Sequence, residues 1–503
     1  MDAAPEPSGG GAPEPGDGLS GEIVASLKKR AQRGVVILAA RTAIVQLIVL
    51  GGQIALARLL DPKDFGIFAI VQFALSFFMF FGDAGLGGGL VQKATPPSAR
   101  ELSSVFFAQL FIALGVMVVV FCAAGLAKFV WPDLPDTGPW LLRAISFDLL
   151  LTALRTLPCI LMERELAFGK LAVLDLIITV TFYVAATLGA WAGFGVWALI
   201  AAVLTQGAAG LIAAYVMWPF RPSLVLDREL LRPILKFGIP FQLNRAVGFL
   251  NAAVTPIYAG SKLGPYSLGL LTWAQNTAYF PLKMVEIIGR IAFPLYSRLQ
   301  GNSRLLGESF GRSVQLCAAF TAYIVALFLG MGPAVITTIF GDKWLAALPL
   351  LRIYSGAIAI GFLAPLVGAV LDSTGRPRLV LRLALFWTVL NWIVVPLTTP
   401  RWGAIGFAAG YSVHVVVGNL LIVALASRLV PHTRLLRRVW SPLLSGTLSY
   451  FLARYVFAAR ATDALHFVGY AGLLLVAYAV VLLAVDRRGI LDAFKIVPKL
   501  DRS

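Results

Sequence analysis

From residue 176 to residue 220 the chain reads LIITVTFYVAATLGAWAGFGVWALIAAVLTQGAAGLIAAYVMWPF, without a charged side chain. A transmembrane helix needs about 20 mostly apolar residues, so this stretch is too long for one span. The glycine-rich sequence from Ala190 to Gly195 interrupts it, and glycines of this kind mark turns. The stretch therefore predicts a tight hairpin of two transmembrane helices.

The rest of the chain has the same apolar character. Of its 503 residues, 59% are hydrophobic and 13% are charged, and the mean hydropathy is +0.83. Soluble proteins are about 45–50% apolar and about 25% charged. Because a soluble fold could not bury this much apolar surface, the composition excludes a cytosolic enzyme, a disulfide-rich secreted domain and a disordered chain. It indicates an integral membrane protein.

Apolar windows along the chain predict an all-α polytopic membrane protein with about fourteen transmembrane helices. The windows are too long and uniform for the alternating strands of a membrane barrel. The predicted helices lie near residues 34–57, 65–86, 102–127, 138–160, 171–190, 194–217, 233–259, 265–295, 313–340, 346–371, 379–398, 402–427, 441–459 and 464–485.

Positive charge is concentrated on one side of this predicted topology. The chain has 42 Lys and Arg against 25 Asp and Glu, a net charge of +17. When the loops are assigned alternately to the two sides, most basic residues fall on the side that holds both termini. Cytoplasmic loops carry such an excess. We therefore expect cytoplasmic N- and C-termini, and the charge gives no reason to expect a nucleic-acid partner.

A weak internal repeat relates the first predicted helix to the seventh. Arg41 follows Gly34 at the same spacing at which Arg245 follows Gly238. Four further pairs align, namely Pro62 with Pro265, Gly66 with Gly269, Gln72 with Gln275, and Asp83 with Glu286. The matches are few, and chance is the alternative explanation. Parallel repeats predict two six-helix lobes around a central cavity, related by an axis along the membrane normal, with a C-terminal helix pair added.

The corresponding domain boundaries follow from the predicted helices. We expect a disordered cytoplasmic tail at 1–20, an N-terminal lobe at 21–217, a cytoplasmic linker at 218–232 and a C-terminal lobe at 233–427. Residues 428–503 hold the last two helices and a cytoplasmic tail.

Arginines inside two predicted helices are the strongest candidates for a binding site. Arg41 and Arg245 hold matching positions, with Gln46 and Asn244 as polar neighbours. A charged side chain in a span normally faces a water-filled cavity or a partner. Since guanidinium binds phosphate through paired hydrogen bonds and stays charged, we predict that both arginines bind a diphosphate in the cavity. The alternative is that they extend to the cytoplasmic lipid headgroups.

Other charged residues in the predicted spans are weaker candidates. Lys283, Glu286 and Arg290 share one helix face and are expected to neutralise one another there. Arg290 is a further candidate ligand for the substrate. Asp83 and Glu286 are candidate sites for a coupling ion, either sodium or a proton.

Residues typical of catalysis or metal binding are sparse. Asp148 and Arg155 share a face of the fourth predicted helix, where we expect an ion pair within the helix or between helices, and we expect His414 to make a core or interhelix hydrogen bond. The three cysteines lie far apart and form no Cys/His cluster, so no metal site or disulfide framework is predicted. The loops are too short for a catalytic domain, and no phosphate-binding loop motif occurs. We therefore expect a transporter without an organic cofactor and not an enzyme.

Short segments spread over residues 22–430 form a set typical of one family. They are Ala57–Gly66 (ARLLDPKDFG), Phe81–Leu86 (FGDAGL) with Leu90–Gln92, Gly341–Leu345 (GDKWL), Pro349–Ile353 (PLLRI), Gly375–Pro377, Asn391, and Trp402–Gly406 (WGAIG). As a set they resemble the polysaccharide-export flippases, the Wzx-type branch of the multidrug/oligosaccharidyl-lipid/polysaccharide exporter superfamily.

This resemblance implies two six-helix lobes, usually with two added helices, in the bacterial inner membrane. It implies that an undecaprenyl-diphosphate-linked oligosaccharide is moved from the cytoplasmic to the periplasmic leaflet by alternating access, for exopolysaccharide or O-antigen assembly. Cavity arginines are thought to receive the diphosphate in the related lipid II flippases, a role that Arg41 and Arg245 would suit. Membrane lipids, a polysaccharide polymerase and export machinery are the further partners implied.

Three other functions stay open at this point. A lipid II flippase fits the segments less well. A cation-coupled small-molecule exporter of the same superfamily would need a buried carboxylate in the cleft, where this sequence has arginine. A membrane enzyme of polysaccharide assembly would need a large periplasmic loop or a catalytic histidine at a membrane edge.

Overall fold

The computed structural model describes residues 42, 44–83, 86–92, 95–430, 433, 435–461 and 463–493. In these residues the chain is almost entirely helical and contains no strand. The helices of the first half are α1 (Ile44–Leu59), α2 (Pro62–Asp83), α3 (Leu86–Gln92), α4 (Ala99–Ala123), α5 (Ala127–Val130), α6 (Gly138–Arg164), α7 (Phe168–Trp191) and α8 (Val196–Met217). Those of the second half are α9 (Arg228–Ala253), α10 (Gly260–Ala278), α11 (Phe280–Leu299), α12 (Ser303–Val335), α13 (Leu348–Gly361), α14 (Leu363–Ser373) and α15 (Pro377–Leu429). Helices α16 (Leu435–Leu452) and α17 (Ala464–Ala493) follow.

The predicted hairpin at the centre of the first half is confirmed. Helix α7 ends at Trp191 and α8 begins at Val196. In the turn between the two helices, Gly193 has a φ angle of 82° and Gly195 has a φ angle of 52°. Such angles are open to glycine at no steric cost, which is why the apolar stretch turns at this point and not elsewhere.

Nine helices in the described residues are long and apolar enough to cross a membrane. The sequence predicts about fourteen. The predicted helices near 233–259, 265–295 and 441–459 are not among the nine, and two features account for the other two. The run Arg378–Leu429 joins two predicted helices, although Trp402 and Gly403 break its helical geometry. Only Ile44–Leu59 of the first predicted helix forms an apolar helix in the described part. The all-α membrane fold is confirmed, and the exact count stays a prediction.

Helices α2 and α10 cross at two glycines, one from each half of the chain. A Cβ added to Gly66 would collide with the carbonyl oxygen of Pro265, and a Cβ added to Gly269 would collide with that of Pro62. These four residues are two of the aligned pairs of the predicted repeat. Small residues allow membrane helices to approach closely. The two halves therefore meet in a reciprocal contact, as a two-fold relation between them would require.

The last two helices pack on the second half through α12. Gln315 of α12 is fully buried, and its Nε2 donates to Asp486 Oδ2 of α17 at 2.7 Å. Arg438 Nη1 of α16 donates to Gln315 Oε1 at 3.0 Å, and Ser441 Oγ donates to Asp486 Oδ2 at 3.2 Å. This polar cluster attaches both helices to one side of the second half.

Candidate functional site

A cavity of about 230 Å³ lies between the two halves, with walls from α1, α10–α11 and α12. Most of its lining is aliphatic or aromatic. Its polar lining residues are Gln46, Gln53, Thr272, Asn276, Thr277 and Lys283. A largely apolar cavity with a few polar groups is the usual form of a ligand site.

The break between α10 and α11 positions Lys283, the charged residue of this wall. Helix α10 ends at Ala278, and Pro281 lies in the first turn of α11. Proline is tolerated at this position because the first turn needs no donor from its N–H. Lys283 follows in the same turn and is partly buried in the cavity wall.

Lys283 stands apart from the two charged residues expected to neutralise it. Glu286 and Arg290 are both exposed and do not line the cavity. The salt bridges found among the described residues join other side chains. The described residues therefore show no salt bridge along this helix face, and mutual neutralisation and a ligand role both stay predictions.

Two buried polar groups of the cavity wall lack hydrogen-bond partners among the described residues. They are the hydroxyl of Thr272 and the indole N–H of Trp273. Leaving a buried donor unpaired costs free energy of about 1–3 kcal/mol. Because surrounding protein atoms cover both groups, they do not themselves face the cavity.

The structure describes the side chains of only some of the remaining predicted site residues. Gln46 lies in the cavity wall, as a binding role requires. Arg41 lies outside the described residues. Asn244 and Arg245 lie in α9, and Asp83 is the last residue of α2, but their side chains are also outside the described part.

Four polar cavity residues were not predicted from the sequence. Gln53 of α1 and Thr272, Asn276 and Thr277 of α10 line the same space as Lys283. The available signal was a set of polar side chains in apolar spans, at positions 272, 276 and 283 of one helical stretch. Helical spacing shows that these side chains share a face. It does not show which other helix packs against that face.

Two segments used for the family resemblance meet at one end of the cavity. Trp344 Nε1 donates to the carbonyl of Ala57 at 2.8 Å, and Lys343 Nζ donates to the carbonyl of Arg58 at 3.0 Å. Arg58 Nε donates in return to the carbonyl of Ile339 at 2.8 Å. We call these contacts, which join residues 57–61 to residues 338–344, the end clamp. They join the two halves of the chain at the turn between α1 and α2.

Aromatic rings reinforce the end clamp. Trp344 is fully buried, with its ring stacked on Trp273 at 4.9 Å and edge-on to Phe65 at 5.2 Å. Because Trp273 also lines the cavity, the clamp and the cavity share a wall.

A second contact between the halves runs along α2 and α9. Gln242 Nε2 donates to the carbonyl of Phe80 at 2.6 Å, and Phe249 stacks on Phe73 at 5.4 Å and on Phe80 at 5.5 Å. This contact and the cavity therefore use different elements of the interface. A further cavity of about 310 Å³, lined in part by Phe73, Phe77 and Ile257, lies beside the contact.

Two further predicted contacts, that of His414 and that of Asp148, lie inside membrane helices. His414 is buried against the ring of Tyr411 at 4.5 Å, away from the inter-half cavity. Asp148 and Arg155 form no salt bridge within 4.0 Å among the described residues, but their charged groups lie against successive turns of α8, at Gly207 and Gly210. No cluster of metal-binding side chains occurs in the searched part of the chain.

Sequence comparison relates the chain to proteins of polysaccharide assembly. The family described as "Polysaccharide biosynthesis protein" matches residues 55–349. Teichuronic acid biosynthesis protein TuaB of Bacillus subtilis is 24% identical over 312 residues, 61% of this chain and 62% of TuaB, which is less than two thirds of that protein. Lipopolysaccharide biosynthesis protein WzxC of Escherichia coli is 21% identical over 388 residues, 76% of this chain and 78% of WzxC. Succinoglycan biosynthesis transport protein ExoT of Rhizobium meliloti is 25% identical over 354 residues, 70% of this chain and 69% of ExoT.

Structural comparison relates the helices to two solved transporters. Lipid II flippase MurJ in an inward closed conformation superimposes with a TM-score of 0.75 over 90% of this chain and 99% of MurJ, at 13% identity. An inward-facing multidrug resistance MATE family transporter gives 0.57 over 84% of this chain and 99% of that chain, at 15% identity. At these identities the likeness establishes the fold alone, which is a multi-pass α-helical membrane fold.

Proposed function

The chain belongs to the polysaccharide biosynthesis protein family, and we propose that it is a flippase for lipid-linked oligosaccharides. In this proposal it moves undecaprenyl-diphosphate-linked units from the cytoplasmic to the periplasmic leaflet of the bacterial inner membrane, with both termini in the cytoplasm. The relatives that carry transport or lipopolysaccharide assembly in their names support this class. A polysaccharide polymerase and export machinery are the partners that would consume the product.

The observation that carries the proposal is a cation facing a cavity between the two halves. Lys283 lies in the wall without a salt bridge among the described residues, beside amide and hydroxyl side chains. A charge inside a membrane protein normally faces water or a partner. An anionic phosphate supplies that partner, and it distinguishes this cavity from one built for a drug cation.

The polar groups around Lys283 suit the sugar next to the diphosphate. Gln46, Gln53 and Asn276 line the cavity, and each offers an amide donor and acceptor. Oligosaccharide hydroxyls pair with groups of this kind. The cavity of about 230 Å³ admits the proximal sugar and not a whole oligosaccharide, so movement of the two halves must widen it.

Arg41, Arg245 and Arg290 stay proposed phosphate ligands, with Asn244 as a polar neighbour. Lys283 joins them as the cation that the described cavity contains. In the predicted orientation, the end clamp lies on the periplasmic side. Opening the clamp would release the headgroup outward, which is the motion that alternating access requires.

Replacement of Lys283 tests the proposal in cells. A hydrogen bond to a charged group contributes about 1.5–3 kcal/mol, so Lys283→Gln should weaken substrate binding about 10- to 100-fold. We expect undecaprenyl-diphosphate-linked intermediate to accumulate on the cytoplasmic face and polymer export to fall. Lys283→Arg, which keeps the charge, should retain export.

Lys262→Gln is the matched control, because Lys262 is exposed and lies outside the cavity. It should export polymer normally at equal expression. Normal export by Lys283→Gln would refute the cavity assignment. Loss of a lipid-linked peptidoglycan precursor from the outer leaflet, with glycan export intact, would favour the lipid II alternative.

A further inference from the structure

The cavity of about 310 Å³ beside the α2–α9 contact has an almost wholly apolar lining. Its walls come from α2, from the end of α4 and the segment that follows it up to Trp131, from α6, and from Ile257. Among the described residues, no charged, hydroxyl or amide side chain lines it. The indole N–H of Trp131 is already used, since it donates to the carbonyl of Pro256 at 2.8 Å. We call this space the apolar cavity, and the one that contains Lys283 the Lys283 cavity.

The internal repeat relates the two cavities to each other. Four lining residues of one correspond to four lining residues of the other, at the same spacing along the chain that pairs Pro62 with Pro265. The four pairs are Ile257 with Ile54, Phe73 with Asn276, Ala74 with Thr277, and Phe77 with Phe280. Equivalent helices of the two halves therefore build both cavities.

A tryptophan reaches from one half of the chain to the other beside each cavity. Trp344 of the second half donates to the carbonyl of Ala57 in the end clamp. Trp131 of the first half packs on the second half, where its Nε1 lies 2.9 Å from the Cβ position of Gly260. The repeat pairs Ala57 with Gly260. The two cavities and their tryptophan contacts are thus two copies of one arrangement at the interface, as a two-fold relation requires.

The two copies differ in their chemistry. Where the Lys283 cavity has the amide of Asn276 and the hydroxyl of Thr277, the apolar cavity has Phe73 and Ala74 at the paired positions. One copy therefore suits a charged and hydroxylated group, and the other suits a hydrocarbon.

The size and position of the apolar cavity agree with a hydrocarbon occupant. An apolar cavity of about 150 Å³ stays dry and holds a benzene-sized group. By this measure the apolar cavity holds about twelve carbons, or about two isoprene units. Leu126 and Val130 of its wall are 60% and 44% exposed, so the cavity is open at the surface of the helices. In a membrane, a chain can enter there.

Resting on the proposed transport function, we propose that the apolar cavity binds part of the polyprenyl chain of the transported lipid. The Lys283 cavity binds the diphosphate and the sugar next to it. A lipid-linked oligosaccharide has one polar end and one apolar chain, and two related sites of opposite chemistry at one interface match this division. Burial of apolar surface stabilises the bound chain without direction. The apolar cavity therefore recognises the part that all such lipids share, and it is blind to the glycan.

Photolabelling of the purified full chain tests this site without transport. The probe is a polyprenyl phosphate with a diazirine on its chain, mixed with the protein in phosphatidylethanolamine vesicles. Illumination should label residues between 120 and 131. Unlabelled undecaprenyl phosphate should reduce this labelling severalfold, and the same mole fraction of dioleoyl phosphatidylglycerol should not. Equal competition by the phospholipid would overturn the assignment, because the cavity would then hold any lipid chain.

A variant that fills the cavity gives a second readout. Ala127 lines the apolar cavity, so Ala127→Phe should lower the competed labelling severalfold. Cys122→Phe is the matched control, because Cys122 is exposed and lies outside the cavity, and it should label like the wild type. Equal labelling of Ala127→Phe and the wild type would overturn the proposal. If thermal unfolding shows that Ala127→Phe is not folded, the competition with the wild-type chain decides alone.

Translocation in vesicles separates this site from the proposed function. With an undecaprenyl-diphosphate-linked oligosaccharide as probe, Ala127→Phe should need a severalfold higher lipid concentration for its half-maximal rate, as expected when ground-state binding is lost. Cys122→Phe should behave like the wild type. If the wild type translocates no lipid while labelling still prefers the polyprenyl chain, the proposed function fails and the chain site stands. If translocation proceeds and labelling shows no such preference, the chain site alone fails.

Discussion

Gly269 sets the distance between α2 and α10. A Cβ at this position would collide with the carbonyl oxygen of Pro62. We expect Gly269→Ala to lower the free energy of unfolding by about 1–3 kcal/mol, the usual cost of overpacking, and thermal unfolding of the purified protein measures this. Gly115→Ala is the matched control, because nothing lies within 4 Å of its added Cβ. Equal Tm values for Gly269→Ala and the wild type would contradict the close approach.

Single residues also show where sequence reasoning ends. Pairing Gly66 with Gly269 in the predicted repeat located a real contact between helices. Spacing alone placed Lys283 in a charged cluster with Arg290, and the structure shows that Lys283 faces a cavity whereas Arg290 is exposed. Helical spacing shows which side chains share a face, but the neighbouring helices decide whether that face meets protein, lipid or water.

At the scale of elements, the end clamp holds the turn between α1 and α2 against the segment that precedes α13. Arg58 and Trp344 supply most of its side-chain contacts. We expect the double variant Arg58→Ala/Trp344→Phe to separate these elements. Spin labels at the exposed positions Lys63 and Leu345 should then report a longer and broader distance distribution.

The control for this measurement is Arg401→Ala, an exposed arginine that the predicted topology places on the same side of the membrane. It should leave the distance between the labels unchanged. A distribution in the double variant that matches the wild type would show that these contacts do not hold the halves together.

Helices were easier to predict than the breaks within them. The predicted spans 171–190 and 194–217 correspond closely to Phe168–Trp191 and Val196–Met217, since charged residues and glycines mark their ends. The predicted span 346–371 is instead divided into α13 and α14 at Phe362. Gly361 and Pro365 flank this break. Because proline has no N–H to donate to the carbonyl four residues earlier, the sequence carries a signal for the break that hydropathy alone does not show.

At the scale of the whole molecule, three features occupy different places. Lys283 lies between the halves, the apolar cavity lies beside α2, and the end clamp joins the two halves at one end. A change in one half can reach the cavity through the shared wall of Trp273 and Trp344. The composition predicted the membrane fold, and the short family-like segments predicted its class. The cavity depends on contacts between distant helices, which a single sequence does not reveal.

The most direct test of the account is lipid translocation by the purified chain in vesicles. The assay measures how fast an undecaprenyl-diphosphate-linked oligosaccharide, placed in one leaflet, becomes accessible in the other. We expect translocation well above protein-free vesicles, retained by Lys262→Gln and reduced at least tenfold by Lys283→Gln, since a lost charged hydrogen bond of about 1.5–3 kcal/mol corresponds to that factor. Translocation no faster than in protein-free vesicles, or equal rates for Lys283→Gln and the wild type, would contradict the proposed function.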